Sequence, residues 1–274
     1  MVQSSSRVFQ KPADAYDPRG RLDPGGFERH VTFRTVAPPL ALQPFIEHFW
    51  VIRWDGSLGP YQSVEVMHRP YVDVFFSTQE SGIQGTFRGK RTYSAAGRGR
   101  ILGIRFLPGA FHAFWPGRMT DLQDKIVPLT KVLVWADAAG IQSLLDQDDD
   151  AAIAAMVEQI AVPAPDPVIA LINDIIAAVE SRDELRTVTA VAAAFGRSER
   201  WLQQTFRDYL GIGLKWLIQR HRLLQAARLI RASDAPDWAG IAYELGYSSQ
   251  QHFITDFRIV LDVTPVQYKK NLSD

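Results

Sequence analysis

Two stretches in the second half of the chain carry glutamine and arginine at the spacing by which a helix presents polar groups on one face. In the first, Arg197, Ser198, Arg200, Gln203, Gln204 and Arg207 surround Leu202 and Phe206; in the second, Ser249, Gln250, Gln251, His252, Thr255 and Arg258 surround Phe253 and Phe257. Residues four apart share a helix face, so each apolar pair points inward and the polar set outward. The chemistry of such a set is recognition of bases and phosphates. A glutamine amide matches the donor and acceptor of adenine in the major groove, and a guanidinium matches guanine or a phosphate oxygen. Competing chemistries lack their residues. The chain has no cysteine, which removes thiolate metal sites, disulfides and cysteine nucleophiles. It has no G-x-S-x-G, no P-loop and no G-x-G-x-x-G in a strand-to-helix setting. Its six histidines include no H-x-H or H-x-x-x-H pair. No catalytic residue, metal site or cofactor is therefore expected.

Two helices of the same build must position these groups, and the sequence repeats itself accordingly. Val191-Ala192, Phe195-Gly196 and Ser198 recur as Ile241-Ala242, Leu245-Gly246 and Ser248 at an offset of 50. Leu202, Phe206, Leu210 and Ile212 recur as Phe253, Phe257, Leu261 and Val263 at an offset of 51, which places one extra residue early in the second helix of the second copy. Each copy runs from an apolar helix to a glycine able to take a positive φ, then to a serine that caps a second helix, the punctuation of a helix-turn-helix. In the second copy the spacing of Ser248 and Gln251 points to a capping box. Residues 214–232 read as one connecting helix of 19 residues, roughly 28 Å long at 1.5 Å per residue. That is comparable to the approximately 34 Å between successive major-groove faces on one side of a duplex.

The run Ile241-Ala-Tyr-Glu-Leu-Gly-Tyr-Ser-Ser-Gln-Gln-His-Phe-Ile-Thr-Asp-Phe-Arg258, followed by Val263-Thr-Pro-Val-Gln-Tyr-Lys269, resembles the second-motif signature of the AraC/XylS family of bacterial transcription regulators. The resemblance covers about residues 183–270. It implies operator binding and control of transcription through contacts with RNA polymerase. Two positions depart from the pattern: Asp262, where most members place glycine after the recognition helix, and Gly240 inside a helix. The N-terminal half resembles more loosely the uncharacterised sensor-like domain attached to some of these regulators, through a strand ending in Ile104-Arg-Phe-Leu-Pro-Gly-Ala110. That likeness implies no known ligand.

With 274 residues, 46% apolar and 22% charged, the chain is long enough for two domains with buried cores. Residues 1–30 have no apolar period and read as a mobile tail. From residue 31 to 106 the apolar runs are short and β-rich, as at 49–54, 63–67, 72–76 and 101–106. Residues 122–127, 138–145 and 149–160 read as short helices closing that domain. Three prolines at 163, 165 and 167 mark the boundary, with Asp166-Pro167 capping and opening the next helix. The expected fold class is α+β: a β-rich domain, cupin-like or a barrel or sandwich, with appended helices over 31–162, a linker at 163–167, and an all-α domain with two helix-turn-helix units over 168–274. Within the first domain His68, Tyr71, Asp73 and Arg105 are the candidates for contact with an effector. For Arg105, in mid-strand, the competing reading is an internal ion pair with Asp73 or Glu65. Trp50, Trp54, Tyr71 and Phe75 read as core before ligand cage.

Thirty basic and thirty acidic residues leave the whole chain neutral, but the charge is unevenly placed. Residues 185–231 hold nine basic against two acidic side chains, a net of +7, and residues 232–274 hold three against six, a net of −3. The first unit is thus expected to supply most of the phosphate attraction. Arg197, Arg207, Lys215 and Arg258 would position the phosphates; Arg200, Gln203, Gln204, Gln250, Gln251, His252 and Thr255 would reach bases, with the helix-start serines Ser198 and Ser249 beside them. Arg220-His221-Arg222 reads as a surface face of the connecting helix or a phosphate contact. No apolar run approaches the roughly 18 to 20 residues of a membrane span, and the start of the chain lacks the apolar stretch of a signal peptide. A cytoplasmic protein is expected, with double-stranded DNA, a small-molecule effector, RNA polymerase and a second copy of the chain as partners. Two alternatives stand beside this: a constitutive DNA-binding dimer whose first domain only dimerises, and a cupin-like metal enzyme fused to a DNA-binding domain.

Overall fold

The structure is a computed structural model, and it describes residues 31–55, 62–67, 69–95 and 97–272. The proposed tail and His68 lie outside the described residues. The first half contains eight strands among the described residues: β1 (Val31–Val36), β2 (Ile46–Trp54), β3 (Gln62–Val66), β4 (Asp73–Ser77), β5 (Gly82–Gln84), β6 (Arg91–Ala95), β7 (Gly99–Phe106) and β8 (Ile126–Val127). All pairs are antiparallel. Six strands form one sheet in the order β1-β2-β7-β4-β5-β8, and β3 pairs with β6 in a separate ribbon.

Side chains alternate across a strand, and the two faces of the large sheet differ in kind. Phe49 and Val51 of β2, Val74 and Phe76 of β4, and Leu102, Ile104 and Phe106 of β7 form the apolar core with Phe111, Met119 and Leu122. Helices α1 (Ala138–Leu145) and α2 (Asp149–Glu158) add Leu144, Ala152, Ile153 and Met156 to it. Asp148 caps α2 by accepting from the amides of Asp150 and Ala151, and Arg53 and Arg100 pair with Asp149 in its first turn. The segment 122–127 is not the helix expected from its apolar spacing. A 3-10 turn at Met119–Leu122 precedes strand β8, because Ile83 and Gln84 of β5 offer Val127 and Ile126 a ladder. On the opposite face Trp50 lies flat against Gly103: a Cβ there would stand 2.2 Å from the indole Cε2, so no other residue fits.

The second half is helical: α3 (Pro167–Ser181), α4 (Val188–Phe195), α5 (Glu199–Leu210), α6 (Leu214–Ala232), α7 (Trp238–Glu244), α8 (Gln250–Leu261) and α9 (Pro265–Asn271). Asp166 caps α3, with Pro167 in its first turn. Helix α6 spans the residues that the sequence spacing gives, and its two ends belong to different cores. Leu214, Leu217 and Ile218 pack with α3, α4 and α5. Leu223, Leu224, Ala226, Ala227 and Ile230 pack with α7, α8 and α9. Asp262 ends α8 at φ 61°, with its N–H on the Arg258 carbonyl. A non-glycine residue there costs about 1–2 kcal/mol of backbone strain, so the departure noted in the sequence is a tolerated one.

The two halves are docked. Thr86 donates to the Leu210 carbonyl at 3.3 Å, the Trp216 indole to the Arg88 carbonyl at 3.2 Å, and Asn173 to the Pro108 carbonyl at 3.0 Å. Tyr209 reaches Asp166 at 2.7 Å and packs on the His112 ring. Met67, fully buried, inserts into the core shared by α6 and α8. No helix among the described residues is long and apolar enough to cross a membrane.

Candidate nucleic-acid interface

Helix α4 ends at Gly196, whose φ of 59° turns the chain, and Ser198 then caps α5 by accepting from the Trp201 amide at 3.2 Å. Helix α7 ends against Gly246 at φ 72°, but its partner helix is capped by Ser249, which accepts from the His252 amide at 3.1 Å. The expectation that Ser248 caps α8, in a box with Gln251, is therefore corrected. Ser248 instead sets its hydroxyl 3.2 Å from the His252 ring. The extra residue of the second copy lies in the turn before the helix, and the true equivalent of Ser198 is Ser249, at the offset of 51. The reason is local: two residues separate Gly246 from the cap where one separates Gly196 from its own, so the later serine reaches the first free amides.

Below these caps Leu202, Phe206, Phe253 and Phe257 are wholly buried, which turns the polar faces outward as the spacing requires. On the α5 side Arg197, Ser198, Arg200, Gln204, Arg207 and Lys215 are exposed, and Gln203 is half-buried with its amide close over Gly213. On α8 Ser249, Gln250, Gln251, His252, Thr255 and Arg258 are all exposed. Several are already engaged: Gln204 donates to Asp208 at 2.8 Å, the Thr255 hydroxyl to the Gln251 carbonyl at 2.8 Å, and Arg197 lies over the Trp201 ring at 5.1 Å. Arg200, Arg207, Gln250, Gln251 and Arg258 project their side chains into solvent. Among the described residues, the first half docks on the C-terminal end of α5 and the start of α6 and leaves both faces uncovered.

The effector candidates occupy the other face of the sheet. Arg105 makes two hydrogen bonds to Asp73, at 2.9 and 2.7 Å, and its guanidinium stacks 3.8 Å from the Tyr71 ring centre. The structure thus brings Tyr71, Asp73 and Arg105 together as an internally paired group, with Asp73 as the partner of Arg105; the side chain of Glu65, the other candidate, lies outside the described residues. Tyr71 and Trp50 are buried. Burial pushes the phenol of Tyr93 up to about 12; it donates to Gln84, which also accepts from Arg91. His48 stands opposite Arg105 in the ladder, with its Nε2 buried and unpartnered, and the Trp50 indole nitrogen is likewise unpartnered. Among the described residues no three His, Asp or Glu side chains are grouped as metal ligands.

Burial, reinforced by Arg105, lowers the His48 pKa from 6.5 to about 3. The unfolded chain takes up that proton near the ordinary value while the folded one refuses it, so stability falls as pH drops from about 6.5 toward about 3. Replacing His48 with glutamine is expected to reduce the loss of stability between about pH 7 and pH 4.5, read by urea unfolding at both pH values. An unchanged loss would mean that the ring is solvated.

Arg220-His221-Arg222 is neither of the things its charge suggests. Arg220 is 1% exposed, donates to the Met67 carbonyl at 2.7 Å and faces Glu180 at 3.8 Å, where Arg69 also pairs. Arg222 is half-buried against the turn after α7. The signal was present in the spacing: Arg220 falls three residues from both Leu217 and Leu223, in the apolar stripe of α6. Charge obscured it.

Comparison with known proteins places this geometry. Residues 191–271 match the family described as a helix-turn-helix domain, and residues 34–128 match a domain of unknown function, DUF6597. The chain is similar to the regulatory protein SoxS of Escherichia coli (strain K12), 37% identical over 103 residues that are 37% of this chain and 95% of that protein. It is similar to the probable transcription factor PqrA of Proteus vulgaris, 31% identical over 104 residues, 37% of this chain and 84% of the relative. Among solved structures, the C-terminal domain of AraT, a response regulator from Geobacillus stearothermophilus, is 25% identical, with a TM-score of 0.34 over 39% of this chain and 86% of that one. Two like-built helical readers on one connecting helix, matched across nearly the whole length of a known regulator, lead to one conclusion: the chain belongs to the AraC/XylS family of DNA-binding transcription regulators.

Proposed function

We infer that this regulator reads a bipartite operator with α5 and α8 in adjacent major grooves, and that residues 31–162 adjust its DNA-competent population in response to a small molecule. The observation that carries the reading is the pair of capped helices whose buried aromatic and leucine residues force Arg200, Gln204 and Arg207 on one, and Gln250, Gln251 and Arg258 on the other, into solvent. Amide and guanidinium groups so placed suit base edges and phosphates. The charge difference between the units gives them unequal roles: the first anchors to phosphate, the second discriminates bases. Residues 163–167 act as the linker and 168–274 as the DNA-binding domain.

Control by an effector is supported by the second face of the sheet, where the unpartnered His48 and Trp50 nitrogens lie beside Tyr71, Asp73 and Arg105. Tyr71 of this group stands four residues along the chain from Met67, whose side chain and carbonyl contact α6, so an occupant there would bias how the halves are docked. A second copy of the chain and RNA polymerase are the further partners expected of the family. Selection of duplexes from a random pool by the full chain, at two salt concentrations, tests the function. One enriched sequence with two conserved blocks about one helical turn apart supports it; enrichment of nothing overturns it.

A further inference from the structure

Between the two readers the structure places a contact whose donors lie outside both helix-turn-helix pairs. The C-terminal turn of α7 leaves the carbonyls of Glu244 and Leu245 free, since the amides that follow return to Tyr243 and Ala242. Arg186, in the loop between α3 and α4, donates to the Glu244 carbonyl, and Arg222, on α6, donates to the Leu245 carbonyl at 2.9 Å. Cationic donors suit the negative end of a helix. The two arginines come from outside the second unit, yet the turn they hold is the one that aims α8.

Each is itself held. Arg186 pairs with Asp183 at 3.3 Å, and Gln225 of α6 donates to the same carboxylate. Arg222 stacks 3.8 Å from the centre of the Tyr247 ring, which in turn packs at 5.5 Å on Phe253, the first inward residue of α8. A chain of contacts thus runs from the first unit and the connecting helix to the base of the second recognition helix. The cores of the two units are otherwise separate along α6.

We propose that Arg186 and Arg222 are positioning residues that fix the direction of α8 relative to α5, and so set the half-site spacing that the protein accepts. The proposal rests on the two-reader mode of binding inferred above. It also removes Arg186 from the phosphate-attracting set to which its charge alone would assign it, because its guanidinium is occupied by a carbonyl and a carboxylate.

The test uses the full chain and the selected bipartite duplex, rebuilt with the space between its halves changed by −1, +1 and +2 base pairs, and a duplex with the first half-site alone. One inserted pair turns the second site by about 35° around the duplex. Wild type is expected to bind about tenfold or more weakly at either single-pair change, on the scale of one mismatched base pair. In Arg186→Ala, and more fully in Arg186→Ala with Arg222→Gln, the penalty is expected to shrink to about threefold or less, with binding to the single half-site unchanged. Arg186→Lys, which keeps a cationic donor, should restore much of the discrimination. Should the double variant melt too low to use, Arg186→Ala carries the test alone, since its side chain is partly exposed and outside both cores. A spacing profile as sharp in the variants as in wild type overturns the proposal. So does an equal weakening across all duplexes with a shallower salt dependence, which would make these residues phosphate ligands. A wild type indifferent to spacing overturns the two-reader reading, and the proposal with it.

Discussion

Replacing Asp73 with alanine is expected to cost about 3–5 kcal/mol of folding stability. The side chains of Asp73 and Arg105 are only 6% and 13% exposed, so removing one leaves the other charged, desolvated and without its bidentate partner. Tyr71 stacks on the guanidinium but carries no charge to replace the carboxylate, since burial raises its pKa well above the usual phenol range. Removing both charges with Asp73→Ala and Arg105→Met should cost far less than the sum of the single changes, because the main penalty is the orphaned charge. Urea unfolding of the three variants gives the comparison. A loss below about 1 kcal/mol for Asp73→Ala would place the pair in solvent and remove the grounds for reading that face as an enclosed polar site.

The second large effect concerns DNA. Arg200→Ala with Arg207→Ala is expected to weaken operator binding by about 1–3 kcal/mol for each arginine that reaches the duplex. It should also flatten the salt dependence by about 0.9 in log–log slope for each phosphate no longer neutralised. Gln250→Ala with Gln251→Ala should behave differently: affinity for the operator falls while binding to unrelated duplex and the salt slope hold, because an amide reads a base edge without releasing a counterion. The contrast follows from the charge the two units leave for DNA: with Arg186, Arg220 and Arg222 occupied internally, six basic face two acidic side chains over residues 185–231, a net of +4, against −3 over 232–274. The assignment would be wrong if Gln250→Ala with Gln251→Ala flattened the salt slope, or if Arg200→Ala with Arg207→Ala left it unchanged.

What could be read from the sequence was what neighbours along the chain decide. The bounds of α6, the Asp166 and Ser198 caps and the left-handed glycines each depend on a few adjacent residues, and each was legible. The sites that lay beyond reach depend on partners far along the chain. Strand β8 exists because β5, some forty residues earlier, offers it an edge. Arg220 is buried because Met67 crosses α6 from the other half of the molecule. Strand phase calls for a partner to an inward Arg105 and offers Asp73 or Glu65, but the alignment of Asp73 with Arg105 across β4 and β7 is a matter of register. Ser248 and Ser249 differ by one position, and the turn geometry alone decides between them. The outward polar faces of α5 and α8 were legible almost entirely, since Leu202 and Phe206, or Phe253 and Phe257, inward at i and i+4 fix what points outward; the arginines that orient those faces toward one another were not, because a helix C-terminus attracts cations wherever they come from.

The central claim is that one chain reads two successive major-groove faces with α5 and α8. Guanine N7 methylation interference on the selected operator, with hydroxyl-radical footprinting of the same complex, tests it most directly. Two blocks of major-groove interference about one helical turn apart, on one side of the duplex, are the expected result. Of the two, the block assigned to α8 should vanish selectively in Gln250→Ala with Gln251→Ala. A single block, or protection confined to the minor groove, would contradict it.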